Sequence, residues 1–424
     1  MGADFMSTVD VEKVKYLYEL CSEKMGNNIK CFQGMDKPLP FISEFYPGVW
    51  LESSISGAIF VAMDDPAKWD IAENAINIFI DHQTDGGQLP CYILDANAER
   101  TKKIGEPVGY SQIQECVSFA RLCLKVYDVN KNKDFLKKCY DANRAWDGWL
   151  RRNRMTTDRG LIEMFCGYDT GHDNSGRLVG MSCKYNYGYR ENGTVKHYNA
   201  AVLPPDDGIT PILAPDMNCT FYATQIALAE MADILGISDE AEEWRRKAKE
   251  VKAKLFEHCY NEEDGFFYDV DRNGNHRKYL SISIHHLFLE HVLDKDEDAE
   301  VIKRIYEGHL KNPDEFWTAY PFPATAISDP YWQNLKNPVS NNWGYYTQTL
   351  TLQRCRFWMD DYGYSEDFDE ACRRWLQAYT DNFEKIPFGQ EIHPITGEPS
   401  MCSPWCIGVM NFYRYVVRRL GILE

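Results

Sequence analysis

Two short stretches of this 424-residue chain concentrate side chains able to move protons and grip hydroxyl groups. The first, Gly167-Tyr168-Asp169-Thr170-Gly171-His172-Asp173-Asn174-Ser175-Gly176-Arg177, holds two carboxylates, a guanidinium and several polar groups within eleven residues. That mixture can protonate a leaving oxygen and bind hydroxyls. Asx and Gly residues at this density also build purely structural turns. The second stretch, Phe388-Gly389-Gln390-Glu391-Ile392-His393-Pro394-Ile395-Thr396-Gly397-Glu398, is acidic and precedes the last helical segment. Carboxylates from two separate loops are what glycosidic bond hydrolysis needs. One protonates the bridging oxygen, and the other activates water or attacks the sugar.

Other chemistries find little support. Asp269-Val270-Asp271-Arg272-Asn273-Gly274 opens like a calcium loop, but its twelfth position is Leu280 in place of a bidentate Glu, so a polar turn is expected. The chain has no GxGxxG, P-loop, HExxH or CxxC motif. His285 and His286 are neighbours on a helical segment and point to different faces, a poor arrangement for metal ligands. No metal and no cofactor is expected.

Composition narrows the partners. Lys and Arg number 46 and Asp and Glu 64, a net charge of −18, which repels phosphate backbones and anionic headgroups. Nucleic acid and membrane are therefore excluded as partners in favour of a small carbohydrate. The 21 Phe, 11 Trp and 26 Tyr include many that sit with Asn, Gln and Gly in long loops, a setting suited to sugar rings. The 14 Cys are scattered through helical segments and read as reduced, buried thiols. With no basic region followed by an apolar run at the start, and no apolar stretch of about 18 residues, a cytoplasmic location is expected.

The elements that must position the two stretches are helices. Phe135, Cys139, Ala142, Trp146 and Trp149 recur at steps of four and three, as do Phe368, Cys372, Trp375, Tyr379 and Phe383. Such periodicity predicts twelve helices, at about 9–25, 53–63, 66–82, 110–127, 133–153, 216–235, 238–258, 279–291, 297–308, 344–362, 365–382 and 403–420. Most fall in close pairs. Strand-like runs are few and short, and the long aperiodic stretches, 84–109, 154–215, 259–278, 309–343 and 383–402, are rich in aromatics. The expected fold is all-α, an (α/α)6 barrel of six helical hairpins whose long loops gather at one end. No linker divides it, so residues 1–424 read as a single domain.

In this order the elements resemble the inverting α-glycosidases built on an (α/α)6 barrel, the group that includes trehalase, the processing glucosidase of glycoside hydrolase family 63, and mannosylglycerate hydrolase. Trp50-Leu51-Glu52-Ser53 resembles the family's sugar-binding Trp, acid and Ser, and Asp85-Gly86-Gly87-Gln88-Leu89-Pro90 its "Q-x-D-G-x-I-P" turn. Ser111-Gln112 and Pro215-Asp216-Met217-Asn218 resemble the starts of its fourth and sixth helices. Phe316-Trp317 to Pro323 is similar to an aromatic loop, and Ser403-Pro404-Trp405 to the opening of the twelfth helix. The run from Asp169 to Arg177 resembles the general-acid signature, which falls on Asp173. Glu391-Ile392-His393-Pro394-Ile395-Thr396-Gly397 resembles the general-base stretch, which falls on Glu391.

Departures from the family pattern are local. His172 stands in place of Trp, Gly176 in place of Pro, and Lys336-Asn337-Pro338-Val339-Ser340 in place of an Arg- and Trp-bearing stretch, with Trp343 as a substitute for that Trp. Glu391 to Pro394 is one residue shorter than the family spacing.

The resemblance implies an inverting, exo-acting α-glycosidase. Asp173, with its pKa raised by enclosure and by Asp169, is the expected acid, and Glu391 the expected base, both in loops. Trp50, Glu52, Gln112, Asp169, Arg177, Asp216, Trp317, Trp343 and Trp405 are the expected substrate contacts. Trp146, Trp149 and Trp375 are expected in the core. Arg177 either clamps a substrate oxygen or lowers the pKa of Asp169. Alternatives are a sugar epimerase using His172 and His393, and a non-hydrolytic carbohydrate-binding protein. The stretch 178–215, with Lys184, Tyr185, Tyr187, Tyr189, Arg190 and Lys196, is expected to form a basic, aromatic lid over the leaving group. Its cations could instead pair with Asp206, Asp207 or Glu191.

Overall fold

The computed structural model describes residues 9–182, 190–191, 194–195, 200–204 and 206–423. Twelve helical segments carry the fold: α1 Val11–Gly26, α2 Ser54–Asp64, α3 Trp69–Asp81, α4 Phe119–Asn130, α5 Lys133–Asn153, α6 Pro215–Leu235, α7 Ser238–Cys259, α8 His286–Leu289, α9 Ala299–Ile305, α10 Thr349–Cys355, α11 Ser365–Asp381 and α12 Ile407–Arg419. Two short turns of helix, Glu99–Ile104 and Pro330–Asn334, lie in connecting loops.

Burial separates the segments into two layers. The helix α6 buries fifteen of its 21 residues, and α2 eight of its eleven, as a helix surrounded on all sides must. By contrast α7 buries only six of 22, one every three or four positions, and turns its charged face to water. The even-numbered helices pack on one another in the order α12, α2, α4, α6, α8, and α10 packs on α12. The ring closes between α8 and the end of α10, where Phe288 and Trp358 meet with ring centroids 4.8 Å apart. The odd-numbered helices lie outside, α3 on α2, α5 on α6, α7 on α6, α11 on α12, and α1 on α12, so that the first helix seals the last. This is the (α/α)6 barrel expected from the sequence. The core residues Trp146, Trp149 and Trp375 are buried within it. Of the thirteen described cysteines all are free thiols, and Cys31 alone is exposed. No described helix is long and apolar enough to cross a membrane.

Short strands tie the loops together at the N-terminal ends of the inner helices. β1 Gly48–Trp50, β2 Tyr92–Leu94 and β3 Val108–Gly109 form one antiparallel sheet. β4 Glu163–Met164, β5 Ile212–Leu213, β6 Asp269–Val270 and β7 His276–Arg277 form another in the order β7-β6-β5-β4. β8 Thr347–Gln348 pairs with β9 Glu391–Ile392, setting Gln348 opposite Glu391.

Several helices are shorter than their periodicity suggests, and the losses share a location. The expected helix 110–127 begins only at Phe119, because the amides of Ile113 and Glu115 donate to Asp169 and Ser118 caps the helix. The expected 344–362 begins at Thr349, its first residues being drawn into β8, and ends at Cys355. The expected 403–420 begins at Ile407, since Ser403 and Trp405 adopt positive φ of 46° and 57°. The expected 279–291 is helical from His286 after a 3₁₀ turn at Ile282–His285. Each of these inner helices gives up its N-terminal turn or turns to the loop cluster.

The long loop after α5 is anchored by Arg154, fully buried at its start. Its Nη1 donates to Asp169 Oδ2 at 2.7 Å and its Nη2 to Oδ1 at 3.1 Å, while its Nε donates to the Ala200 carbonyl at 2.7 Å. Replacing Arg154 by Met strands the Asp169 charge in the interior, and unfolding in urea is expected to show a loss of about 3–5 kcal/mol. Adding Asp169→Asn should return part of that loss, and a double variant as unstable as the sum of the singles would refute the coupling.

Candidate active site

The acid-bearing loop runs from Gly167 to Leu178 as two 3₁₀ turns, Gly167–Asp169 and Gly176–Leu178, joined by a bend. Two glycines are required here. Gly171 has φ of +70°, and a Cβ there would lie 2.3 Å from Glu52 Oε2, so Glu52 packs directly on the loop backbone. A Cβ at Gly176 would lie 2.5 Å from the ring of Tyr279 and 2.6 Å from that of Tyr331. Those two tyrosines fill the space that a larger residue would need.

Asp173 and Glu391 are joined through one residue. The Asn341 side chain donates from Nδ2 to Asp173 Oδ2 at 2.6 Å, and its backbone amide donates to Glu391 Oε1 at 2.5 Å. The amide of Trp343 donates to the Asp173 carbonyl at 2.9 Å. Glu391 accepts three further bonds, from the Asn342 amide at 3.1 Å, Gln348 Nε2 at 2.6 Å and Ser400 Oγ at 2.6 Å. It is 0% exposed and sits on β9, a more enclosed setting than the expected loop.

The two carboxyls differ electrostatically. Burial holds Asp173 well above the ordinary Asp range, the Glu52 and Glu391 charges add to the effect, and only Asn341 opposes it. The neighbour that raises it is Glu52, where Asp169 was expected. Burial also raises Glu391, but its four donors pull it back. Glu52 itself is pushed up to about 7 by burial, against the opposing pull of Arg354 and the Cys116 thiol.

The remaining expected contacts are placed as follows. Asp169 takes Arg154 and the amides of Ile113, Phe165 and Cys166 on its two oxygens. Arg177 is fully buried and pairs with Asp216 through Nη1 at 2.7 Å and with Asp269 through Nε at 2.9 Å. It thus neither faces Asp169 nor keeps a free fork for a substrate oxygen. Burial works to raise Asp216, but Arg177 overrides it and holds the carboxylate far below its usual range.

Gln112 is buried against the Cys91 thiol, and Trp50 packs edge-on to Tyr46. Trp343 stacks on His172 with centroids 4.9 Å apart, beside Asp173. Trp317 has Lys311 3.8 Å from its ring centre and Arg374 5.7 Å away, while Trp405 sits against Phe383, Phe388 and Lys24.

His172, His285, His286 and His393 are each engaged by neighbouring groups. His172 Nδ1 lies 3.0 Å from Arg177 Nη1 and must accept from it, and burial pushes the ring down to about 3, so it is neutral. His393 Nδ1 lies 3.1 Å from the Ile395 amide, and its Nε2 3.2 Å from the Tyr345 hydroxyl. His285 and His286 direct Nδ1 at the carbonyls of Ile282 and Ser283. Among the described residues no group of three or more His, Cys, Asp or Glu side chains is arranged to hold a metal ion.

Asn341, Asn342, Gln348, Ser400, Arg154 and Asp269 escape the sequence reading. The Asn pair just before Trp343 is the one visible signal, while Asp269 falls in the run that reads as a polar turn. Lys184, Tyr185, Tyr187, Tyr189 and Lys196 lie outside the described residues, as does the Arg190 side chain. Asp206 pairs with Arg272, and Asp207 accepts from the amides of Ser182, Ile209 and Thr210.

Residues 46–404 match the mannosylglycerate hydrolase MGH1-like glycoside hydrolase domain. The fold is similar to that of the family 63 mannosylglycerate hydrolase of Thermus thermophilus in complex with Tris and D-glycerate. That likeness has a TM-score of 0.70 at 15% identity and covers 94% of this chain and 99% of that one. A neutral trehalase of Saccharomyces cerevisiae superposes with a TM-score of 0.63 at 14% identity, over 92% of this chain and 74% of its own. An uncharacterised protein of Borreliella burgdorferi is 27% identical over 148 residues, 35% of this chain and 28% of that protein's length. The match over most of the chain, on a barrel of the same architecture, places this protein in the MGH1-like family of glycoside hydrolases.

Proposed function

We propose that this glycoside hydrolase is an exo-acting, inverting α-glycosidase in which Asp173 is the general acid and Glu391 the general base. The observation that carries the reading is the unequal treatment of two carboxyls at either end of Asn341, Asp173 half-buried with one donor and Glu391 buried with four. A carboxyl that is buried, poorly solvated by donors and next to another acid keeps its proton at neutral pH, while one ringed by donors ionises.

In the reaction Asp173 gives its proton to the glycosidic oxygen as the bond to the anomeric carbon breaks. A water on the opposite face attacks that carbon and loses its proton to Glu391. Ser400 is the donor on Glu391 best able to turn away, because a hydroxyl rotates freely where backbone amides do not. Its rotation would open one acceptor position on Oε1 for the water, the Asn341 amide keeping the other. Glu52 and Trp343, both against the acid loop, are the side chains suited to gripping the ring. The substrate is a small α-glycoside, a disaccharide, oligosaccharide or glycosyl-glycerate. The likeness to an enzyme crystallised with D-glycerate favours the last.

Asp173→Asn and Glu391→Gln should each lower kcat by about 10²–10⁴-fold in a released-sugar assay over a panel of α-linked disaccharides and glycosyl-glycerates. Asp173→Asn should unfold like the parent. Glu391→Gln should also lose about 1–3 kcal/mol, because the new amide nitrogen, itself a donor, meets donors where a carboxylate oxygen accepted. Proton NMR of the first sugar released from an α-glycoside should show the β-anomer, and the α-anomer appearing first would sink inversion. Glu52→Gln removes the like charge that raises Asp173, so the alkaline limb of the kcat/KM profile should move to lower pH. An unmoved limb would show that Glu52 does not act on the acid.

A further inference from the structure

The barrel holds a cavity lined by no residue of the two acidic stretches. It lies between α2, α4, α8 and α10, measures about 540 Å³ including its opening, and reaches Leu289 at the end of α8 and Phe357 just past α10. In the ring α2 stands opposite α8 and α4 opposite α10, so a space touching all four lies inside the barrel. Its walls are apolar where Ile59, Leu122, Leu289 and Phe357 line it, and polar where Ser56, Ser118 and Glu290 do.

The charged residues around this cavity do not balance. Arg121 donates to Glu290 at 2.6 Å and to the Leu289 carbonyl at 2.9 Å, so that pair is neutral. Lys125 and Arg354 remain, and neither side chain makes an ion pair or hydrogen bond to a described residue. The Lys125 ammonium lies 4.8 Å from the centre of the Phe357 ring, and Arg354 is only 8% exposed. Burial, with help from Arg121 and Arg356, draws Lys125 below its ordinary value. The carboxyl that Arg354 does act on, Glu52, is itself pushed up to about 7, and a cation held away from water without an ion pair is costly. In a protein of net charge −18, the convergence of Lys125 and Arg354 on one cavity calls for a negatively charged occupant.

We propose that this cavity, lined by none of Asp173, Glu391 and Trp343, is a second ligand site for a small organic carboxylate. The carboxylate would lie between Lys125 and Arg354, whose guanidinium can grip it with two parallel bonds, and a short apolar chain would lie against Ile59, Leu122, Leu289 and Phe357. A bare inorganic anion would meet the cations but leave those walls unfilled. The site does not depend on the assignment of Asp173 and Glu391, and its test reads binding alone.

Isothermal titration of the full chain with sodium butyrate should give saturable one-to-one binding, and butyramide, the neutral isostere, should give none. Lys125→Gln and Arg354→Gln should each weaken butyrate by about tenfold or more. Arg354→Gln bears on the interior, so Lys125→Gln, at the more open end, guards against a folding defect. It should leave glycosidase turnover without added carboxylate unchanged. Absence of saturable butyrate binding would overturn the proposal. So would binding indifferent to both substitutions, or chloride and inorganic phosphate binding as tightly as butyrate.

Discussion

Arg177 lies wholly inside the protein between Asp216, at the start of α6, and Asp269, on β6, and the position of the acid loop follows from that arrangement. Removing any one of the three would leave a charge in the interior without its partner, a penalty larger than most single packing defects. The loop is thereby pinned to an inner helix on one side and to the four-stranded sheet on the other. Arg154 does the same for Asp169 a few residues earlier. Between the two anchors the backbone has one course left to it. That course passes over Glu52 at Gly171, stacks His172 on Trp343, and delivers Asp173 to Asn341.

The chemistry that this positions depends on donor count more than on depth. Burial pushes the pKa of both Asp173 and Glu391 upward. What separates them is the segment Asn341–Asn342 together with Gln348 and Ser400, which directs four donors at Glu391 and a single one at Asp173. In the proposed assignment, acid and base arise from the same residue chemistry by local hydrogen bonding. Pairing of β8 with β9 supports this, because it sets Gln348 opposite Glu391.

The barrel also explains why the proposed acid and base lie at one end. Each inner helix is enclosed by neighbours on all sides, so its apolar middle serves packing, and its N-terminal turn is the place where backbone donors and loop side chains meet. The shortened starts of α4, α8, α10 and α12 are the outcome. Periodicity in the sequence continues through 110–118 and 344–348, yet those residues leave the helix to bond Asp169 and β9. Further along the same inner helices Lys125 and Arg354, neither in an ion pair with a described residue, line a cavity.

Much of this was determined by the sequence alone. The twelve periodic segments, their pairing and the scarcity of strands specify an all-α barrel, since apolar spacing decides which face of a helix is buried whatever its neighbours are. The acidic stretches around Asp173 and Glu391 were likewise visible, because clusters of carboxylates, Gly and Asn within a few residues are a local pattern. What only the tertiary structure decided is how those groups are partnered. Arg177 meets Asp216 and Asp269 across 39 and 92 residues, and Asn341 meets Asp173 across 168. Nothing local in the chain signals such pairs. Asp169 and Arg177 read in sequence as functional neighbours, yet each is bound to a residue elsewhere in the chain. A buried charge is compensated by whichever partner the packed helices bring within bonding distance, and that distance exists only once the barrel has closed.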